Sequence, residues 1–374
     1  MSTVVVSEFD TKPVDVVSIR KFIEHKEEWS DSAIAVAHDA SFVNIVGPHA
    51  LLTLLLSSIE ASQNPFFHSG CAYLPSLGEV YTTSNLLSAV SSSRQPVVLI
   101  SKIKIKNVAG GPLSRENSVV GSVEWSKLRP PQGMAMPAGC TAFRDGVLYC
   151  EQGNSKTTAP GILYMPHRQP PQSLASQYMG RPFNSPYGLC PGVGNNIWFT
   201  DTTDGAVEQF RPKCRLPCLL YQLDLETMRV KAMAEGFTRP MGVAISPDGS
   251  RVYVADAAPK EPLQNQMEPL LPKIHVFDVI SRDDGVFLAN KSLFGYPLSD
   301  TLTSLHCDSQ GNLFAACSDG LEIWSSSGVF LGVIRVPGGV TSFAFGNAND
   351  VILGGSQRLW RLQLRGDKAG HGGE

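Results

Sequence analysis

The stretch Asp248-Gly249-Ser250-Arg251-Val252-Tyr253-Val254 is a short polar turn followed by a strand that runs apolar, aromatic, then small. Five looser copies lie along the chain. They are Leu77-Gly78-Glu79-Val80-Tyr81-Thr82, Asp145-Gly146-Val147-Leu148-Tyr149-Cys150 and Asn195-Asn196-Ile197-Trp198-Phe199-Thr200, then Gly311-Asn312-Leu313-Phe314-Ala315-Ala316 and Asn349-Asp350-Val351-Ile352-Leu353. Repetition every roughly 40–70 residues marks a propeller, in which each unit is one four-stranded blade. The fold expected is an all-β, six-bladed β-propeller. Whatever precedes each copy, at the position nearest the central axis, then decides the chemistry.

Composition agrees with a turn-rich β protein. Of 374 residues, 34 are Gly and 26 Pro, 17% are charged and 43% apolar, which argues against disorder. A formal charge of −3 gives no electrostatic footprint for nucleic acid, so no nucleic-acid partner is expected. No stretch approaches the roughly 20 apolar residues of a membrane span; the best, Ala50 to Leu56, is short and too far along to be a signal peptide. A soluble, cytoplasmic protein is expected. Eight cysteines in a chain this long do not make a disulfide framework. The Cys140/Cys150 and Cys214/Cys218 pairs are close enough in sequence to leave bridging open. No second Cys or His pair suggests a zinc site.

Residues 1–65 read as an N-terminal extension that packs on the propeller or completes a blade. It holds a β segment at Thr3-Val4-Val5-Val6 and loosely helical spacing from Ser18 to Val36. Residues 66–364 read as the propeller and 365–374 as a mobile tail. Asn107 to Pro137, Pro160 to Pro182, Thr203 to Pro217 and Ala257 to Pro272 read as long connections, able to form a lid over one face.

Several phrases occur in a fixed order: Phe67-His68-Ser69-Gly70-Cys71-Ala72-Tyr73-Leu74-Pro75, Cys150-Glu151-Gln152-Gly153 and Arg181-Pro182-Phe183-Asn184-Ser185-Pro186. Trp198-Phe199-Thr200-Asp201, Arg239-Pro240-Met241-Gly242 and Asp319-Gly320-Leu321-Glu322-Ile323-Trp324 follow. Over roughly residues 40–364 the chain resembles the regucalcin/gluconolactonase family of six-bladed propellers, in its fungal branch. That resemblance implies a divalent cation, usually calcium, held at the axis by Glu, Asn and Asp side chains that carry the lactonase chemistry. Here the matching positions hold Ser69, Ala138, Tyr187-Gly188, Met241, Thr303-Ser304 and Ser342. Such a ring has no carboxylate to balance a dication, so no metal and no cofactor are expected, and function must be argued from the site rather than the fold.

An axial pocket of that kind suits a small hydrophobic substrate oriented by a few hydrogen bonds. The chain resembles the metal-free members of the fungal branch, hetero-Diels–Alderases that join a tropolone quinone methide to a humulene-type alkene. On that resemblance Tyr187 or His68 donates to the quinone-methide oxygen, and Arg181 and Asn184 anchor a polar ring substituent. Met241, Phe67 and Trp125 shape the alkene side; Ser69, Thr303 and Ser342 complete the pocket. Plainer roles stand beside each: His68 and Asn184 as braces of blade turns, Arg181 as a surface or inter-blade residue, Met241, Phe67 and Trp125 as packing. Glu151 and Asp201 read as structural, although Asp201 and Asp204 could recruit a cation elsewhere. No Gly-x-Ser-x-Gly elbow is present. A lactonase-type hydrolase and a non-catalytic small-molecule-binding propeller remain as alternatives. The sequence does not fix the oligomeric state.

Overall fold

The computed structural model describes residues 3–24, 33–60, 62–87, 96–108, 119–155, 158–260, 270–283, 285–346 and 349–365. It is a six-bladed propeller of antiparallel sheets. The innermost strands are Gly70–Leu74, Pro137–Phe143, Ser185–Pro191, Pro240–Ile245, Leu302–Cys307 and Ser342–Phe345. Each is followed by a second strand that contains one copy of the repeated phrase: Glu79–Thr83, Gly146–Glu151, Asn196–Thr202, Arg251–Asp256, Leu313–Cys317 and Asp350–Gly355. Those second strands are buried almost throughout, because both faces of a blade are covered by its neighbours. Near-continuous apolar runs follow from that double covering.

The core is distributed between blades rather than gathered in one centre. Between the second and third blades, Phe183 meets Phe199 and Tyr221 with ring centroids 5.2 Å from each, and Phe199 stacks on Tyr221 at 5.1 Å. Leu148 and Cys150 close that cluster from the second blade. Each fully buried side chain of this size contributes about 1.5–3 kcal/mol.

The N-terminal segment divides among three blades. Leu51–Ser57 pairs antiparallel with Arg358–Gln363 as the fourth strand of the last blade, and Thr11–Pro13 adds outside it. Ile34–Ala37 extends the fifth blade beside Phe330–Arg335, with Asp15–Ser18 parallel to it. Thr3–Val6 lies against Val119–Leu128 of the first blade.

Several sequence expectations are corrected here. The helical spacing from Ser18 to Val36 yields one short helix, Ile19–Glu24; Ile34–Ala37 is a strand, and 25–32 lie outside the described residues. The apparent connections contain outer strands: Val119–Leu128 within the first, Gly161–Pro166 and Gln172–Ala175 within the second. Gly161–Pro166 is buried at all but one position, whereas Val119–Leu128 and Gln172–Ala175 are part-exposed, so polar residues interrupt their apolar pattern. All eight cysteines are free thiols, Cys140, Cys150, Cys214 and Cys218 included. The tail beyond Arg365 lies outside the described residues. No helix among the described residues is long and apolar enough to cross a membrane.

Candidate functional site

The residues that the sequence singles out stand close to the start of each innermost strand or just before it. In the second to fifth blades the ladder slips there: between Pro137 and Cys140, Pro186 and Leu189, Pro240 and Gly242, Leu302 and Leu305. A bulge re-aims the side chain it carries, and these bulges hold Ala138, Tyr187, Met241 and Thr303. Glycine after the axial residue lets neighbouring strands crowd together. A Cβ on Gly139 would stand 2.0 Å from the Tyr187 carbonyl oxygen, and one on Gly188 2.0 Å from that of Met241.

Hydroxyls then stitch blades in pairs at the same level. Thr83 donates to the Ala138 carbonyl at 2.6 Å, Thr200 to the Met241 carbonyl at 3.1 Å, and Thr303 to the Thr341 carbonyl at 2.7 Å. Buried carboxylates hold the loops that deliver the axial residues. Glu151 accepts from the backbone N–H of Met136 (2.8 Å), Ala135 (3.0 Å) and Gly153 (2.8 Å). Asp201 accepts from Asn184 (2.9 Å) and Ser185 (2.7 Å), and Asp256 from Thr238 (2.8 Å) and Arg239 (2.7 Å). Burial pushes both Glu151 and Asp201 up to about 7, against those N–H bonds and the Arg211 charge, which pull them down.

Above the ring lies a cavity of about 510 Å³, within the usual range for small-molecule sites. His68, Ser69, Ala138, Tyr187, Met241 and Thr303 line it from the axis. Below, the channel narrows to about 30 Å³. Ala138, Tyr187, Met241 and Ala257 form one apolar cluster on the cavity wall. The Tyr187 hydroxyl is pushed up by burial, with the Ser69 hydroxyl and the Arg239 charge working against the shift; the phenol is neutral. Burial, then the charges of Lys260 and Arg239, push His68 down to about 4, so its imidazole is neutral too. His68 Nδ1 lies 3.2 Å from Ser69 Oγ.

One side of the cavity is charged. Asp204 takes Arg239 Nε at 2.9 and 3.0 Å on its two oxygens and Arg239 Nη2 at 2.9 Å. Lys260 lies 3.1 Å from Asp204 and also pairs with Glu208. All four groups line the cavity.

Ser69, Ala138, Tyr187, Met241 and Thr303 line one cavity, and several other candidates stand elsewhere. Ser342 lines the narrow channel below, where its buried hydroxyl has no partner among the described residues. Thr303 reaches the cavity with its hydroxyl already committed to the Thr341 carbonyl. Arg181 is exposed on the small hairpin of Gln177–Tyr178 and Arg181–Pro182, away from the cavity. Asn184 is a brace, donating to the Leu216 carbonyl at 2.9 Å. Phe67 is fully buried, its ring 5.1 Å from that of Trp125. Trp125 sits in an outer strand of the first blade and donates to Ser101 Oγ at 3.0 Å. Neither aromatic reaches the cavity. Sequence reasoning passed over Arg239 and Lys260. Arg239 stands two residues before Met241 in a quoted phrase, and a cation so close to an axial position was the available signal.

A hard dication wants about six to eight oxygen ligands with balancing negative charge. At the axis, Ala138 and Met241 offer no side-chain oxygen, and Tyr187 is neutral. Of the cavity carboxylates, Asp204 and Glu208 are taken by Arg239 and Lys260, and the third, Asp300, is exposed to solvent. Among the described residues, no group of three or more His, Cys, Asp or Glu side chains could hold a metal ion. The residues present do not fit the calcium that the resemblance implies.

Fold and site together define a six-bladed propeller with a mixed apolar and charged cavity at one mouth of its axis. The chain belongs to the family described as SMP-30/Gluconolactonase/LRE-like region, whose model matches residues 133–353. A gluconolactonase of Zymomonas mobilis is 26% identical over 178 residues, 43% of this chain and 44% of that protein, so the match spans less than half of the relative. Among solved structures, a gluconolactonase from Xanthomonas campestris superposes with a TM-score of 0.65 at 21% identity, covering 88% of this chain and 95% of its own. The calcium-binding protein regucalcin from Agrobacterium tumefaciens gives 0.55 at 12% identity, covering 83% and 93%. At these identities the structural likeness speaks to the fold.

Proposed function

We propose that this chain is a metal-independent cyclase of fungal secondary metabolism. It performs a hetero-Diels–Alder type cycloaddition in the axial cavity, joining a tropolone-type quinone methide to a terpene alkene. One observation carries the reading: the axial positions that would need carboxylates for a dication present Ser69, Ala138, Tyr187, Met241 and Thr303 to the cavity. In such a reaction the quinone methide supplies the C=C–C=O heterodiene and the alkene two carbons. One C–C and one C–O bond form and no group leaves. The reaction needs no nucleophile and no base, only two partners held face to face and a hydrogen bond to the carbonyl oxygen.

Tyr187 is the donor to that oxygen. Its neutral hydroxyl, pushed further up by burial, withdraws electron density from the heterodiene and lowers its acceptor orbital. His68 is neutral, and its Nε2–H tautomer is a second neutral donor. Ala138, Met241 and Ala257 give the terpene an apolar shelf.

The test is the melting temperature and turnover of the purified protein with calcium and with excess chelator. Binding to the folded state alone adds about 2.7 kcal/mol at a hundredfold excess over the dissociation constant. The same melting temperature in both, with cycloadduct formation indifferent to chelator, is the expected outcome. A second reading, hydrolysis of a lactone, is favoured by family membership and by the Zymomonas mobilis relative. It predicts a calcium-dependent rise in melting temperature and lactone turnover that chelator abolishes.

A further inference from the structure

The guanidinium of Arg239 has two edges able to bind a planar pair of oxygens. Asp204 occupies one, taking Nε and Nη2. The other edge, Nη1 with the second hydrogen of Nη2, has no partner among the described residues and belongs to a side chain of the cavity wall. Its direction is fixed twice over: Asp204 grips the side chain, and Asp256 holds the Arg239 backbone N–H at 2.7 Å. Asp204 is itself buried and tied to Lys260, which also pairs with Glu208. Two cations and two anions therefore balance within the cluster. A ligand bringing a further negative charge to the free edge would leave that balance broken.

We propose that the free edge of Arg239 is the anchor for the ring end of the substrate, and that it selects a neutral molecule carrying two adjacent oxygen acceptors, such as an α-hydroxy carbonyl. The inference rests on the cyclase reading for its place in the reaction, because Arg239 stands on the cavity beside Tyr187 and His68, the two donors of that reading. Arg239 is a binding residue here; Asp204 is a positioning residue that acts through it. A lysine at 239 keeps the charge but offers a point donor in place of a fork.

Three probes read by calorimetry test this in buffer without divalent cations: maltol, with adjacent carbonyl and hydroxyl; 2,6-dimethyl-4-pyrone, with the carbonyl alone; and benzoate, an anion. The wild-type protein is expected to bind maltol about tenfold more tightly than the pyrone, the worth of one good hydrogen bond to a charged group, and more tightly than benzoate. Arg239→Lys should bring maltol down to the level of the pyrone, and Asp204→Asn should do the same with pyrone binding kept. Benzoate binding tightest, equal binding of all three, or no maltol binding to the wild type overturns the proposal. So does maltol bound unchanged by a folded Arg239→Lys protein. If that variant melts early, the wild-type ranking decides. A calcium-dependent rise in melting temperature would instead sink the cyclase reading while leaving the probe ranking to judge Arg239 separately.

Discussion

Two neutral side chains lining the cavity, Tyr187 and His68, carry the proposed chemistry. Tyr187→Phe removes one hydroxyl from a buried phenol and leaves the ring packed against Ala138 and Met241. Cycloadduct formation should fall roughly 100-fold, the typical cost of losing one preorganised donor, with the melting temperature unchanged. His68 gives a pH signature. Its folded pKa of about 4 lies below the 6.5 of a free imidazole, so the unfolded chain binds the proton more tightly. The stability it contributes is present above pH 6.5 and is lost as pH falls towards 4. A cyclase that uses neutral imidazole should show a flat rate profile from about pH 5.5 to 8, whereas a rate that climbs with a titrating base across that range would favour the hydrolase.

At the scale of single elements, the buried carboxylates that hold each loop matter more than the loops' own composition. Asp201→Asn replaces one acceptor oxygen by a donor facing a backbone N–H, Asn184 or Ser185. A loss of about 1–3 kcal/mol is expected, read from the urea midpoint. The linkage runs opposite to that of His68. Glu151 and Asp201, pushed up to about 7, bind protons more tightly folded than unfolded. Their contribution is full below the unfolded carboxylate pKa and declines as pH rises from about 4 to 7. Glu151→Gln should flatten that decline. The second strands were legible in the sequence because both their faces are buried, which forces the repeated apolar phrase. Ala138, Tyr187, Met241 and Thr303 could be located for a related reason, since each stands on the strand before that phrase, close to its start. Val119–Leu128 and Gln172–Ala175 were not legible, because part-exposed backbone tolerates polar residues, and the parallel pairing of Asp15–Ser18 with Ile34–Ala37 has no local signature. Arg239 and Lys260 escaped notice because their role depends on Asp204 and Glu208, brought near from another blade and its following loop.

The whole ring closes through one strand. Leu51–Ser57 pairs with Arg358–Gln363, joining regions far apart in sequence and covering the edge that Arg358–Gln363 would otherwise expose. Deleting residues up to Ser57 should abolish the single cooperative thermal transition, whereas deleting residues up to Val6 should lower the midpoint and keep it cooperative. Calorimetry distinguishes the two.

That closure also sets a timetable for biosynthesis. Leu51-Leu52-Thr53-Leu54-Leu55-Leu56 leaves the ribosome long before Arg358–Gln363 exists to receive it, so a strongly apolar strand waits unpaired while five blades are made. Exposed apolar strands make incomplete chains prone to aggregate, so in cell-free translation the soluble yield of the full chain is expected to rise when holding chaperones are added.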